Sequence, residues 1–133
     1  MSWNLTNGQP IYLQLIEQLK RRILSGKYAC GEHFPSVREL AAEASVNPNT
    51  MQKALAILEE EGLLVGSRTN GRTVTTDQSM IQKMRNELAT KIWKKFVDTL
   101  RELGFSESEI QTFISANAAE RGTYDSITDN GSM

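Results

Sequence analysis

Two short runs, each opened by a helix-capping signature and separated by a turn of three or four residues, constrain this chain more than any other feature. The first begins at Ser36-Val37-Arg38-Glu39. A serine at the N-cap can accept from the N–H three residues on, and a glutamate at that third position can reach back to the cap. Its apolar stripe is Val37, Leu40, Ala41 and Ala44, and Ser45-Val46-Asn47 breaks it. The second run opens at Asn47-Pro48, an N-cap followed by a proline whose missing N–H would have had no helical partner. Met51, Ala54, Leu55 and Leu58 then recur at helical spacing until Glu59-Glu60-Glu61 and Gly62 close it. Helices of about two and four turns meeting across so short a turn are the pattern of a helix-turn-helix.

The flanks agree with that reading. Upstream, Ile11, Leu15, Leu19 and Ile23, with Tyr12, Ile16 and Leu24 beside them, predict an amphipathic helix between Pro10 and Gly26. Lys20, Arg21 and Arg22 are expected on its other side, as a solvated face or as contacts to a phosphate backbone. Downstream, Leu63-Leu64-Val65 and the β-branched run Arg72 to Thr76 read as two strands, with Asn70-Gly71 as a strong turn signal between them. A hairpin directly after the second helix of such a pair is a wing. A long helix then begins at Asp77 or Ser79, with apolar positions at Ile81, Met84, Leu88, Ile92, Phe96, Leu100 and Leu103, widened by Ala89, Trp93 and Val97. Gly104 ends it. Ser106 and Glu109 have capping-box spacing and Phe105 and Ile110 the spacing of a hydrophobic staple, so a last helix should pack Ile110, Phe113, Ile114 and Ala118. The expected fold is mainly α with a small β-hairpin: a winged helix-turn-helix over residues 1–76, a two-helix appendage over 77–119, and a disordered polar tail over 120–133.

Composition narrows the chemistry. Of 133 residues, 39% are hydrophobic and 23% charged, and no apolar run approaches the length of a membrane span. The start of the chain has neither the basic nor the apolar stretch of a signal peptide, so a cytoplasmic location is expected. One cysteine, Cys30, and one histidine, His33, are too few for a structural zinc site, and a thiol nucleophile would lack an orienting third group. Neither an enzyme nor a cofactor is expected. The formal net charge of −1 argues mildly against nucleic acid, but its distribution matters more. Residues 1–76 carry eight Lys/Arg against seven Asp/Glu, and residues 77–133 seven against nine, a tilt too slight to decide anything alone.

With Met51, Leu55 and Leu58 turned inward, Asn49, Gln52, Lys53 and Ala56 must face outward. Asn and Gln can pair bidentately with adenine, and lysine can serve guanine or phosphate; the N–H groups and partial positive charge of the helix start would add to phosphate binding. Asn49 and Thr50 have a blander use in starting the helix. Arg38 stands in a first helical turn, where a cation opposes the helix dipole, so it is expected either to touch DNA or to pair with Glu39 or Glu43. Arg68 and Arg72 flank the wing tip, where arginine can enter a narrow minor groove or remain solvated. Glu59, Glu60 and Glu61 read as a solvated face away from the duplex. The apolar stripe of the long helix is too wide for one short partner helix, so Met84, Leu88, Ile92, Trp93, Phe96 and Leu100 are expected to form a two-fold dimer interface. Met84, Trp93 and Phe96 have a second reading as the lining of a small effector pocket.

Pro10-Ile11-Tyr12-Leu13-Gln14, the run Phe34-Pro35-Ser36-Val37-Arg38-Glu39-Leu40-Ala41, and Val46-Asn47-Pro48-Asn49-Thr50 followed by Ala54-Leu55 and Leu58-Glu59-Glu60-Glu61-Gly62-Leu63 resemble the GntR family in register from residue 10 to about 76. The wording at Asn47 to Thr50 and the short C-terminus look like its YtrA subfamily. The resemblance implies a repressor, dimeric through its C-terminal helices, on a double-stranded operator of two-fold symmetry. It implies DNA contact by Arg38, by Asn47, Asn49, Thr50 and Gln52 of the recognition helix, and by Arg68 and Gly71 of the wing. Pro48 and Gln52 stand where many family members carry arginine, so base preferences do not transfer; Phe34 replaces a usual leucine, and Arg72 a second wing glycine. Lys53 and Arg72 join the candidate set on the residue reading alone. The expected partners are a DNA operator, a second copy of the chain and an unidentified small-molecule effector, with no membrane. The competing reading is a winged-helix module that docks to protein instead of DNA.

Overall fold

The computed structural model describes residues 3–69 and 71–119. Five helices and one hairpin follow in the order α1 (Ile11–Leu24), α2 (Val37–Ala44), α3 (Pro48–Glu60), β1 (Leu64–Ser67), β2 (Gly71–Val74), α4 (Gln78–Glu102) and α5 (Glu107–Ala119). The chain divides into two compact units within α4, one ending at Glu87 and the other starting at Leu88. The expected tail over 120–133 lies outside the described residues.

The first unit forms because its local signals agree. Ser36 caps α2 in a full capping box: its hydroxyl accepts from Glu39 N–H at 3.2 Å, while Glu39 accepts from Ser36 N–H at 3.3 Å. Ser45 ends α2 in the left-handed region at φ 56°, which turns the chain sharply into α3. Asn47 then caps α3, its side-chain oxygen accepting from Asn49 N–H at 2.7 Å, with Pro48 as the first helical residue. Leu15 and Leu19 of α1, Leu40 of α2, and Met51, Ala54, Leu55 and Leu58 of α3 meet in one core with Leu63, Leu64 and Val74 from around the hairpin, all essentially without solvent contact. Each such aliphatic side chain contributes about 1.5–3 kcal/mol by burial. These residues form a closed three-helix core on which the hairpin leans.

The strands are shifted from their expected places. Strand β1 starts at Leu64 and extends to Ser67, and β2 starts at Gly71; they pair antiparallel in the register Leu64↔Val74, Val65↔Thr73, Gly66↔Arg72 and Ser67↔Gly71. Gly71 sits at φ +70°, the left-handed conformation a tight hairpin turn requires, while Asn70 lies outside the described residues. A third segment joins the sheet by a single bridge, His33↔Thr73, flanked by bonds from Phe34 N–H to Arg72 O and from Val74 N–H to Glu32 O. The loop between α1 and α2 therefore ties the hairpin down from its far side, which no periodicity in that loop announces.

Side chains of α1 behave differently from expectation at one position. Arg22 is not solvated but 2% exposed, with its guanidinium 4.0 Å from the Trp3 ring centroid and Nη1 3.5 Å from Glu43. Lys20 pairs with Glu61 at 3.1 Å and Arg21 with Glu17 at 3.1 Å. Gln14, also buried, accepts from Thr6 N–H and donates to the Thr6 and Gln9 carbonyls, which pins the segment before α1 along that helix.

Helix α4 is opened by Asp77. Its carboxylate accepts from the Ser79 hydroxyl at 2.7 Å and from Met80 N–H at 3.1 Å, and these bonds hold its pKa below the ordinary carboxylate value. In the second unit Gly104 stops α4 at φ +91°, and Ser106 and Glu109 form the reciprocal bonds expected of a capping box. Arg101 near the end of α4 bonds Glu107 at 2.9 Å and Asp98 at 3.3 Å. Of the apolar residues here, Leu100 and Ile110 are buried and Ile114 half-buried, whereas Phe113 and Ala118 are exposed.

Candidate nucleic-acid interface

Helix α3 presents two chemically opposite faces. Met51, Ala54, Leu55 and Leu58 are wholly buried, and Asn49, Gln52, Lys53 and Ala56, at the complementary helical spacing, are exposed. Thr50 is half-buried beside them. Lys53 is held: its ammonium lies 3.7 Å from the Tyr12 ring centroid of α1, a cation–π contact that restrains the side chain along the helix. Asn47 has its side-chain oxygen committed to the cap, which leaves its amide NH2 for any outside partner.

The start of α3 differs from expectation in one respect. Pro48 has no N–H, Asn49 N–H is taken by Asn47, and the N–H groups of Thr50 and Met51 bond the Asn47 carbonyl at 3.0 and 3.1 Å. From Pro48 to Met51 no free backbone donor remains for a phosphate; the Asn47 N–H meets no acceptor among the described residues, and the partial positive charge of the helix end persists. Two further donors are at α2, where the N–H groups of Val37 and Arg38 meet no acceptor among the described residues. Arg38 is exposed in that same turn. Both carboxylates offered to it are engaged elsewhere, Glu39 with Ser36 and Glu43 with Arg22, and Arg38 makes no ion pair among the described residues.

In the wing, Arg68 is exposed and Gly71 forms the far side of the turn. Arg72 is placed otherwise: its side chain is 19% exposed and its Nε donates to Glu59 of α3 at 2.9 Å. Glu59, Glu60 and Glu61 are all exposed, as expected of a solvated face, and two of them also carry ion pairs, Glu59 with Arg72 and Glu61 with Lys20. An open groove of about 570 Å³ runs between the start of α2 and the wing, with Arg38, Ser36, His33 and Thr69 on its walls. Exposed Arg38, Asn49, Gln52 and Arg68 therefore belong to one winged unit, with amide chemistry on the helix and cationic chemistry at α2 and the hairpin.

The residues expected at a subunit interface are placed along α4. Met84 and Leu88 are half-buried and Leu100 is buried, while Ile92 and Trp93 are each 51% exposed and Phe96 39%. Trp93 and Phe96 lie 5.9 Å apart, Phe96 and Phe113 6.1 Å, and Phe113 meets Phe105 edge-on at 6.0 Å. Among the described residues no cluster of His, Cys, Asp and Glu is arranged to hold a metal ion, and no helix is long and apolar enough to cross a membrane.

Comparison with known proteins matches this arrangement. Residues 11–74 match the family described as bacterial regulatory proteins, gntR family. The HTH-type transcriptional regulator YhcF of Bacillus subtilis is 30% identical over 104 residues, covering 78% of this chain and 86% of YhcF. The HTH-type transcriptional repressor YtrA of the same organism is 44% identical over 69 residues, 52% of this chain, which spans about half (53%) of that repressor's length. Among solved structures, a GntR family transcriptional regulator from Listeria monocytogenes superposes with a TM-score of 0.77 at 31% identity, covering 84% of this chain and 98% of that one. With its capped helix pair, its wing and these relatives, the chain belongs to the gntR family of bacterial regulatory proteins, as a YtrA-like DNA-binding transcription regulator and not an enzyme.

Proposed function

We propose that this protein is a repressor that binds, as a homodimer, a double-stranded operator of two-fold symmetry. Residues 1–76 supply the reading head and 77–119 the pairing surface. The observation that carries the reading is the exposed amide face of α3: Asn49 and Gln52 project from a helix whose opposite side is locked into the core. In the major groove these two side chains read adenine edges, with Asn47, Thr50 and Lys53 beside them on bases or phosphate. Arg38 and the free N–H groups of α2 fix the register on the backbone. Arg68, with Gly71 shaping the turn, enters the flanking minor groove, and Arg72 supports the wing from behind. Two heads joined through α4 dock about one helical turn, or a multiple of it, apart. A dimer seated so at a promoter excludes polymerase.

Dimerisation is supported by Ile92, Trp93 and Phe96, three large apolar side chains on one helix that the monomer leaves in water. Release by a small-molecule effector has the weaker support of a shallow cleft of about 320 Å³ beside Phe105 and Phe113. Selection from a random duplex pool at fixed salt tests the reading, with a palindromic or near-palindromic site as the expected product. Arg38→Ala and Gln52→Ala should each weaken that site by about 1–3 kcal/mol. Unchanged binding in both variants would refute the assignment.

A further inference from the structure

Glu59 lies in the last turn of α3, beyond the amide face, and it is seated against the wing by two independent features. Its Oε1 accepts from Arg72 Nε at 2.9 Å. A Cβ built on Gly66, the residue paired with Arg72 across the hairpin, would fall 2.8 Å from Glu59 Oε2 and 3.0 Å from both Oε1 and Cδ. Gly66 is not in the left-handed backbone region, so its want of a side chain is a matter of space, and the space is taken by this carboxylate.

We propose that Glu59 is a positioning residue of the DNA-binding face, whose carboxylate, resting on Gly66 and bonded to Arg72, fixes the angle of the wing relative to the recognition helix. The inference rests on the DNA-binding reading above and adds a residue to it. A two-stranded hairpin is marginal by itself, and its direction is set by what it leans on. Arg68 follows Gly66 by two residues, so the tilt of β1 at Gly66 sets where that arginine meets a duplex. The pairing also accounts for an acidic residue near a nucleic-acid surface: Arg72 neutralises it, and in the same bond Arg72 is withdrawn from phosphate. Arg72 thus acts through the wing's geometry and not through its own charge.

Gly66→Ala is the sharpest variant, because alanine costs a strand less than glycine does and its methyl displaces only the movable end of Glu59. Wild type, Gly66→Ala, Glu59→Ala and Arg72→Ala are titrated with a duplex that wild type has selected from a random pool, across a range of salt. Amide exchange of the hairpin is followed in parallel. The expected result is about tenfold weaker binding in each variant, with the slope of log K against log salt unchanged from wild type. Exchange should quicken in Val65 and Thr73, the pair whose amides bond across the hairpin, but not in α1 to α3, and the reversed pair E59R/R72E should recover the protection. The proposal is overturned if Arg72→Ala flattens the salt slope by about one, the mark of a lost phosphate contact. It is equally overturned if Glu59→Ala binds as tightly as wild type, or if hairpin exchange is unmoved in both Gly66→Ala and Glu59→Ala. A wild type that selects no duplex overturns the DNA-binding reading and this role with it, whereas normal wild-type binding with unaffected variants removes this role alone.

Discussion

The unit that ends at Glu87 and the unit that starts at Leu88 treat their apolar residues in opposite ways. In the first, the inward faces of α1, α2 and α3 are closed to solvent; buried Gln14 is hydrogen-bonded within the unit, and buried Arg22 lies against the Trp3 ring and 3.5 Å from the Glu43 carboxylate without a hydrogen bond at Nη1 or Nη2. In the second, only Leu100 and Ile110 are buried among the described residues, while Trp93, Phe96 and Phe113 form a run of neighbouring rings in contact with water. A surface of that kind is costly to leave uncovered, since exposed contiguous apolar patches mark interaction sites. The contrast separates a part that closes its apolar faces within one copy from a part that leaves an apolar face open, which the proposed function covers with a second copy.

The largest expected effect attacks the second unit. The double variant Trp93→Ala, Phe96→Ala should turn a dimer into a monomer in sedimentation equilibrium and leave the melting of the first unit in place. Because two linked heads gain about 10²–10⁴-fold over one, affinity for a palindromic site should fall by that order, while binding to a half-site stays unchanged. A variant that remains dimeric would move the pairing surface elsewhere on the chain.

Next in size is the matching change in the first unit. Leu55→Ala removes a side chain with no solvent exposure from the centre of α3, and should cost about 2–5 kcal/mol of unfolding free energy in a urea melt. Ile92→Ala, at a half-exposed position, should cost far less in a monomeric background. Equal losses at the two sites would mean that α4 is as fully packed within one copy as α3 is, and the contrast between the units would collapse.

What was legible in the sequence divides along a physical line. The capping box at Ser36 and Glu39, the Asn47-Pro48 start and the Gly104 stop involve residues within four positions of one another, so their bonds are written locally. The buried stripe of α3 was equally legible, because periodicity alone separates its two faces. Arg22 was not. It stands among Lys20 and Arg21 as if part of a basic face, and only the tertiary approach of Trp3 and Glu43 buries it. Arg72 and Glu59 are 13 residues apart, and their pairing depends on the angle between a helix and a hairpin that no pattern specifies. The lack of free N–H groups from Pro48 to Met51 follows from cap geometry and was derivable: the proline has none, and the Asn47 side chain and carbonyl take the next three.

The smallest expected effect lies at the caps on either side of the division between the units. Asp77 opens α4 and Glu109 bonds back to Ser106 at the start of α5; each carboxyl is held below its ordinary pKa, Asp77 first by the Ser79 hydroxyl and then by Met80 N–H, Glu109 first by Ser106 N–H and then by its hydroxyl. The folded state therefore binds these protons less readily than the unfolded chain. Stability from both groups is fully present above the ordinary values of 3.8 and 4.5 and is lost as pH falls through the lower folded values. Both groups are fully solvent-accessible, so the loss should be slight and should register as fraying at the starts of α4 and α5 rather than as unfolding of the core. Amide exchange at Met80 and Ser106, the N–H groups that donate to these two carboxylates, followed from pH 5 down to about pH 3 and corrected for the intrinsic rate, should show protection falling at both caps while Leu55 and Leu58 keep theirs. Asp77→Asn, which keeps an acceptor but cannot titrate, should flatten the response at Met80 and leave Ser106 unchanged. A concerted loss across α3 and α4 in the same pH range would instead tie the caps to the core, and the first unit would not be the self-contained body that its packing describes.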